Sequence, residues 1–81
     1  MRITVKFTGL FRILAVIEED VLDLDEGATI NQLSRILKQK YEKLPLEDNK
    51  TFFQINGQIV APDRILSEGE QVHIFQLLAG G

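Results

Sequence analysis

One stretch only, Ile30 to Tyr41, sets apolar residues at helical spacing over enough length to cover a sheet: Ile30, Leu33, Ile36, Leu37 and Tyr41. The other clearly patterned segments alternate with period two. A lone amphipathic helix must bury its stripe on a sheet made from those segments. In residues 2 to 8, Ile3, Val5 and Phe7 fall on one face and Arg2, Thr4, Lys6 and Thr8 on the other, the period of a half-buried strand. Leu22 and Leu24 alternate with Asp23 and Asp25 as a second short strand that should pair with the first. Residues 52–55 and 58–60 flank Asn56-Gly57, the strongest short hairpin signal and a type I′ turn by residue choice. Residues 71–76 form the last strand, with Val72, Ile74 and Gln76 on one face and His73, Phe75 and Leu77 on the other.

The boundaries have physical causes. Thr29 caps the helix, and Gln32 stands three residues on, the spacing of a capping box. Leu44-Pro45 stops it, because proline restricts the residue before it and donates no hydrogen bond. Residues 10–17 are apolar without a clean period, which fits either a short helical turn or an extended connection. The order strand, strand, helix, strand, strand, strand predicts an α+β domain: a mixed sheet with one main helix packed across it, the first and last strands parallel at its centre. That is the ubiquitin-like β-grasp arrangement. The expected division is a β-grasp domain over residues 1–75 and a flexible C-terminal tail over 76–81.

Composition narrows function mainly by exclusion. With 12 acids against 9 bases the net charge is −3, which disfavours sequence-independent nucleic-acid binding. No apolar run of about 18 residues is present, so no membrane partner is expected. The chain has no cysteine, which suits a cytoplasmic location and removes thiol nucleophiles, disulfides and cysteine metal sites together. His73 is the only histidine and reads as a surface strand residue, so no metal site is expected. The carboxylates lie in polar turns where nothing would shift them toward acid–base work. No catalytic residue is expected in the chain, and no bound cofactor. Six acids and no base lie between Glu18 and Glu26, while the helix is basic at its end (Arg35, Lys38, Lys40, Lys43); the favoured reading is a solvated turn beside a helix that complements its own dipole, the alternative an acidic patch that meets a basic partner.

The end of the sequence points elsewhere. An apolar strand runs through Leu77 and Leu78 into Ala79-Gly80-Gly81. Glycine makes the narrowest peptide and admits close approach of another backbone. The expected use of such an end is delivery of the Gly81 carboxyl into another protein's active site, with Gly80 and Ala79 giving slim access. The last strand adds a docking surface. If Val72 and Ile74 face the helix, Phe75 faces outward beside Leu77, joined by Ile59, and exposed apolar patches mark partner sites.

Several motifs in sequence resemble one family. Val5-Lys6-Phe7-Thr8-Gly9-Leu10-Phe11-Arg12, Glu26-Gly27-Ala28-Thr29-Ile30, Ile55-Asn56-Gly57, Leu66-Ser67-Glu68-Gly69-Glu70-Gln71-Val72 and Ala79-Gly80-Gly81 together are similar to the MoaD/ThiS sulfur carriers. These are the small subunit of molybdopterin synthase and the carrier of thiamine thiazole biosynthesis. The stretch from Gly57 to Ser67 also resembles ubiquitin. The resemblance implies that a ubiquitin-activating-type enzyme uses ATP to adenylate Gly81 and that a sulfur donor displaces AMP to leave a thiocarboxylate. The sulfur then passes on with molybdopterin synthase large subunit or thiazole synthase as partner, and the chain is a carrier or non-catalytic subunit. The arm Phe75 to Gly81 looks like the thiamine branch, where the molybdopterin arm usually has Pro-Pro in place of Gln76-Leu77. The length and the Phe7 to Arg12 segment look like the molybdopterin (or tungstopterin) branch, the favoured one. The same fold and end also suit a ubiquitin-like modifier joined through Gly-Gly to lysines of other proteins, or a plain interaction domain.

Overall fold

Hydrophobic alternation and one helical stripe produce the sheet-and-helix architecture that they require. The computed structural model describes residues 1–77. Its elements are β1 (Arg2–Phe7), α1 (Leu10–Ala15), β2 (Glu19–Asp23), α2 (Ile30–Lys40), β3 (Thr51–Ile55), β4 (Gln58–Val60) and β5 (Gln71–Gln76). The strands form one mixed sheet in the order β2-β1-β5-β3-β4. β1 and β5 are parallel at its centre, with Val5 opposite Val72 and Phe7 opposite Ile74. The outer pairings, β1 with β2, β3 with β5 and β3 with β4, are antiparallel. This is a ubiquitin-like β-grasp.

The core forms where the strand and helix patterns meet. Ile3, Val5, Val72 and Ile74 from the central strands are 0% exposed, as are Leu33 and Leu37 of α2. Phe7, Phe53, Ile55 and Ile30 complete that layer, and Leu44, Leu46 and Leu66 close it from the loops. The Thr29–Gln32 capping box is made in both directions: the Gln32 amide donates to Thr29 Oγ1, and the Thr29 amide donates to Gln32 Oε1. At the β3–β4 turn Asn56 and Gly57 both take positive φ, 52° and 79°, as a type I′ turn needs. Before β5, Arg64 Nη2 donates to Glu70 Oε2 at 2.7 Å and the Ser67 amide donates to Glu70 Oε1 at 2.6 Å. The Arg64 hydrogen bond, helped by that amide, holds the Glu70 carboxyl below its ordinary value despite burial.

Four local features differ from the sequence reading or resolve it. Residues 10–15 are helical, because Phe11 and Ala15 reach the core from one side of a single turn and a half. β2 starts at Glu19 rather than Leu22: as an edge strand it places Glu19, Val21 and Asp23 toward solvent, so acids are tolerated in its ladder. α2 ends at Lys40, four residues before Leu44. There Lys38 Nζ donates to the carbonyls of Glu42 and Leu44, satisfying the chain as it leaves the helix. Of the apolar stripe, Ile36 is 38% exposed, and Tyr41 sits at the cap with its ring edge-on to Phe7, centroids 5.3 Å apart.

Candidate functional site

Pairing across a sheet puts directly opposite residues on the same face. Away from the helices one row therefore runs Glu19, Lys6, His73, Gln54, Ile59 from β2 to β4. The neighbouring row toward the end of β5 holds Phe75 opposite Phe52. Val72 and Ile74 are inside while Phe75 is half-buried on the open side. Leu77 is 50% exposed just beyond the strand, and its amide donates to the Lys50 carbonyl at 3.0 Å. Ile59, 54% exposed, stands on the same open face at the β4 edge.

These three do not form a patch alone. Phe52 joins them. Its ring lies 6.1 Å from that of Phe75, tilted by 32°, and at the β3–β4 edge it borders, with Ile59, Val60 and Pro62, a cleft of about 310 Å³ whose other wall is Ile30, Asn31 and Ser34 of α2. The adjacent Phe52-Phe53 pair carried the missed signal. In a strand, adjacent residues point to opposite faces, so one of the two aromatics had to be outward. The open face is thus polar in its middle, at Lys6, His73 and Gln54, and apolar where β5 ends.

Because β1 and β5 are parallel, β5 finishes at the sheet end where β1 passes into α1. Thr8 Oγ1 marks that end by donating to the Ile74 carbonyl at 3.2 Å. Gln76, which the sequence reading placed both at the end of the last strand and at the start of the tail, is the last residue of β5, opposite Thr51. Leu78, Ala79, Gly80 and Gly81, which include the carboxyl-bearing residue and its access residues, lie outside the described residues.

The acidic run is not one solvated turn. Asp20 accepts from Tyr41 Oη at 2.6 Å and pairs with Lys40 Nζ at 2.7 Å, linking β2 to the end of α2. Burial alone would raise the Asp20 carboxyl, but the bonds from Lys40 and Tyr41 outweigh it and hold the group below its ordinary value. Burial, with the hydrogen bond to Asp20 and its charge, pushes the Tyr41 phenol up to about 12. Asp23 and Glu18 make looser surface pairs with Arg2 and Arg12. Among the described residues no group of three or more His, Cys, Asp or Glu could hold a metal ion, and no helix is long and apolar enough to cross a membrane.

Five strands in the order β2-β1-β5-β3-β4 with α2 packed on the sheet define the class: a small ubiquitin-like β-grasp domain. The particular family follows from the sequence: the ThiS family model matches residues 5–81, and the chain belongs to that family of ubiquitin-like sulfur carriers. A structure described as molybdopterin converting factor subunit 1 from Pyrococcus furiosus is 29% identical, with 96% of this chain and 99% of that one covered at a TM-score of 0.87. Small archaeal modifier protein SAMP1 of Haloferax volcanii shares the fold at 18% identity, full coverage of both chains and a TM-score of 0.87. A complex of subunits 1 and 2 of molybdopterin-converting factor from Helicobacter pylori shares it at 20% identity, full coverage of both chains and a TM-score of 0.70. No curated protein sequence matches the chain.

Proposed function

We propose that this chain is a sulfur carrier that serves molybdopterin assembly through a thiocarboxylate on Gly81. The observation that carries the proposal is the family match, which runs through Gly80-Gly81 rather than stopping at the folded domain. A terminal carboxyl has a pKa near 3.5 and is a poor electrophile as the anion. Adenylation supplies the missing leaving group. A carboxylate oxygen of Gly81 attacks the α-phosphorus of ATP on the activating enzyme and releases pyrophosphate. A sulfur donor then attacks the carbonyl carbon and expels AMP. The chain has no thiol, so the sulfur is acquired at its end, and ATP is the activating enzyme's substrate rather than a cofactor of this domain.

The open face serves this chemistry by docking. Phe75, Leu77 and Ile59, with Phe52 between them, hold the partner while the tail enters its active site. Beyond Leu77 four residues remain, and fully extended they reach about 14 Å, enough to thread a channel. The favoured receiving partner is molybdopterin synthase large subunit. In support, the 29%-identical relative carries a molybdopterin converting factor name, and the Helicobacter pylori structure is that factor's two-subunit complex.

The test is mass spectrometry after incubation with an activating enzyme of the molybdopterin or the thiamine pathway, ATP and a sulfur donor. The expected product gains one oxygen-to-sulfur exchange, mapped to Gly81, and passes its sulfur on with the large subunit but not with thiazole synthase. No gain with either enzyme sinks the carrier reading. Isopeptide bonds from Gly81 to lysines, without thiocarboxylate, would support the modifier instead. Removing Gly80 and Gly81 should abolish transfer and leave the melting temperature unchanged.

A further inference from the structure

The short helix α1 carries an outer face that the fold leaves uncovered. Its inner side is occupied: Phe11 and Ala15 are buried and Leu14 packs on the core. Leu10 and Ile13 face outward, followed by Val16 and Ile17 just past the helix, at spacing i, i+3, i+6 and i+7; they are 46%, 73%, 82% and 39% exposed. Arg12 is the single polar residue of the helix. A helix that is apolar all round is normally buried on all sides. Four of the nine exposed large apolar residues among those described lie between Leu10 and Ile17, so this surface is concentrated rather than scattered.

Val16 adds a second observation. It ends the helix in the left-handed region, φ 67° and ψ 11°, which glycine enters freely and a β-branched residue does not. Its side chain is also the most exposed of the large apolar ones, so packing within the chain does not compensate the strain. Strain held without an internal return points to a role outside the chain.

Charge indicates the occupant. Arg12 Nη1 and Glu18 Oε1 lie 3.5 Å apart and border an open cleft of about 660 Å³ together with Ile13, Val16 and Ile17. An apolar patch that carries one cation and one anion is complementary to itself. In a two-fold arrangement the Arg12 of each copy meets the Glu18 of the other. We propose that this face docks a second copy of the chain, in a two-fold dimer closed by Ile13, Val16 and Ile17 and by reciprocal Arg12–Glu18 pairs. The patch shares no residue with Phe52, Phe75, Leu77 and Ile59, so the proposal is independent of the carrier reading.

Sedimentation velocity on the full chain over a concentration series tests it. The interface is small, so association is expected to be weak and concentration-dependent. Arg12→Glu and Glu18→Arg should each weaken it about tenfold, a change that loss of the contact within one chain would also produce. Mixing the two variants in equal amounts separates the cases. Each has like charges within its own chain, so only contact across a two-fold axis lets them form a heterodimer. Val16→Gly should raise the melting temperature by relieving the strain while weakening association, and Ile13→Asp should abolish it. A wild-type chain still monomeric at about 1 mM, where even a millimolar complex is populated, overturns the proposal. So does a mixture that stays monomeric, or a dimer indifferent to Ile13→Asp and Val16→Gly.

Discussion

The two faces of β5 differ in what explains them. Val72 and Ile74 are fully buried in the core that they share with Leu33 and Leu37 of α2, while His73 and Phe75, one residue along, are half-covered on the open side. Folding alone accounts for the inner face. It does not account for the outer one, because a sheet face open to solvent is ordinarily polar. The middle of that face follows the rule, with Lys6, His73 and Gln54 in one row. Its end breaks the rule with a Phe52–Phe75 pair beside Leu77, at the place where the chain leaves for its last residues. Stability is concentrated on one side of the strand and, by our reading, recognition on the other.

Ile74→Ala is the strongest attempt to break that division. It removes a fully buried side chain whose neighbours cannot collapse freely, and should cost about 2–5 kcal/mol of stability by denaturant unfolding. In the fraction that remains folded, partner affinity should be unchanged. Phe75→Ala is the reciprocal change. An aromatic anchor should cost on the order of 2 kcal/mol or more in binding to the activating enzyme or the large subunit, read by titration calorimetry. Its stability loss should be smaller, because the cross-strand pair with Phe52 contributes about 0.5–1.5 kcal/mol beyond area burial. If Phe75→Ala unfolds the domain as readily as Ile74→Ala, or binds at full strength, the division is wrong.

How much of this the sequence disclosed follows from which interactions are local. Period-two alternation in residues 2–8 and 71–76 is imposed by the pleat, so inward and outward residues of β1 and β5 could be assigned without coordinates. The capping box and the Asn56-Gly57 turn are equally local and were legible. Where β2 begins depended on its being an edge strand, a fact about sheet order that acids at Glu19 and Asp20 do not announce. The helical state of residues 10–15 rests on Phe11 reaching a core made by distant strands. The Asp20–Lys40–Tyr41 cluster joins residues about twenty positions apart and left no periodic trace. The apolar end of the open face was half legible: Phe75, Leu77 and Ile59 follow from alternation, and the Phe52-Phe53 pair requires one outward aromatic, but its place beside Phe75 follows only once β3 is known to pair with β5.

A smaller effect sharpens the inner side. Thr29 begins the one helix that covers the sheet, and its side chain satisfies the Gln32 amide, which no carbonyl within the helix can reach. Thr29→Ala should cost about 1 kcal/mol. The loss should appear in unfolding of the whole domain, because α2 has no other surface to pack on. Affinity at the open face should not change. A binding defect in this variant would mean that the helix is coupled to the open face through the sheet.

The smallest expected effect lies at the border between the inner layer and solvent, where Tyr41 reaches Asp20. Tyr41→Phe at neutral pH should change stability by less than about 1 kcal/mol, because Asp20 keeps its Lys40 partner in a partly solvated site. The informative variable is pH. A phenol pushed up to about 12 when folded, against about 10 when unfolded, stabilises the fold in its protonated form. That contribution is complete below about pH 10 and is lost as pH rises toward 12. Asp20 runs the other way: its lowered pKa contributes above the ordinary carboxylate value of 3.8, and the contribution is lost as pH falls below it. Tyr41 is the only tyrosine in the sequence, so tyrosinate absorbance reports this one group. The titration midpoint should lie well above 10 in the wild type and move down toward 10 in Asp20→Asn, which leaves the hydroxyl an acceptor but removes the charge. An ordinary midpoint in the wild type would show that the Asp20 contact is not held in solution, and that α2 meets β2 through apolar packing alone.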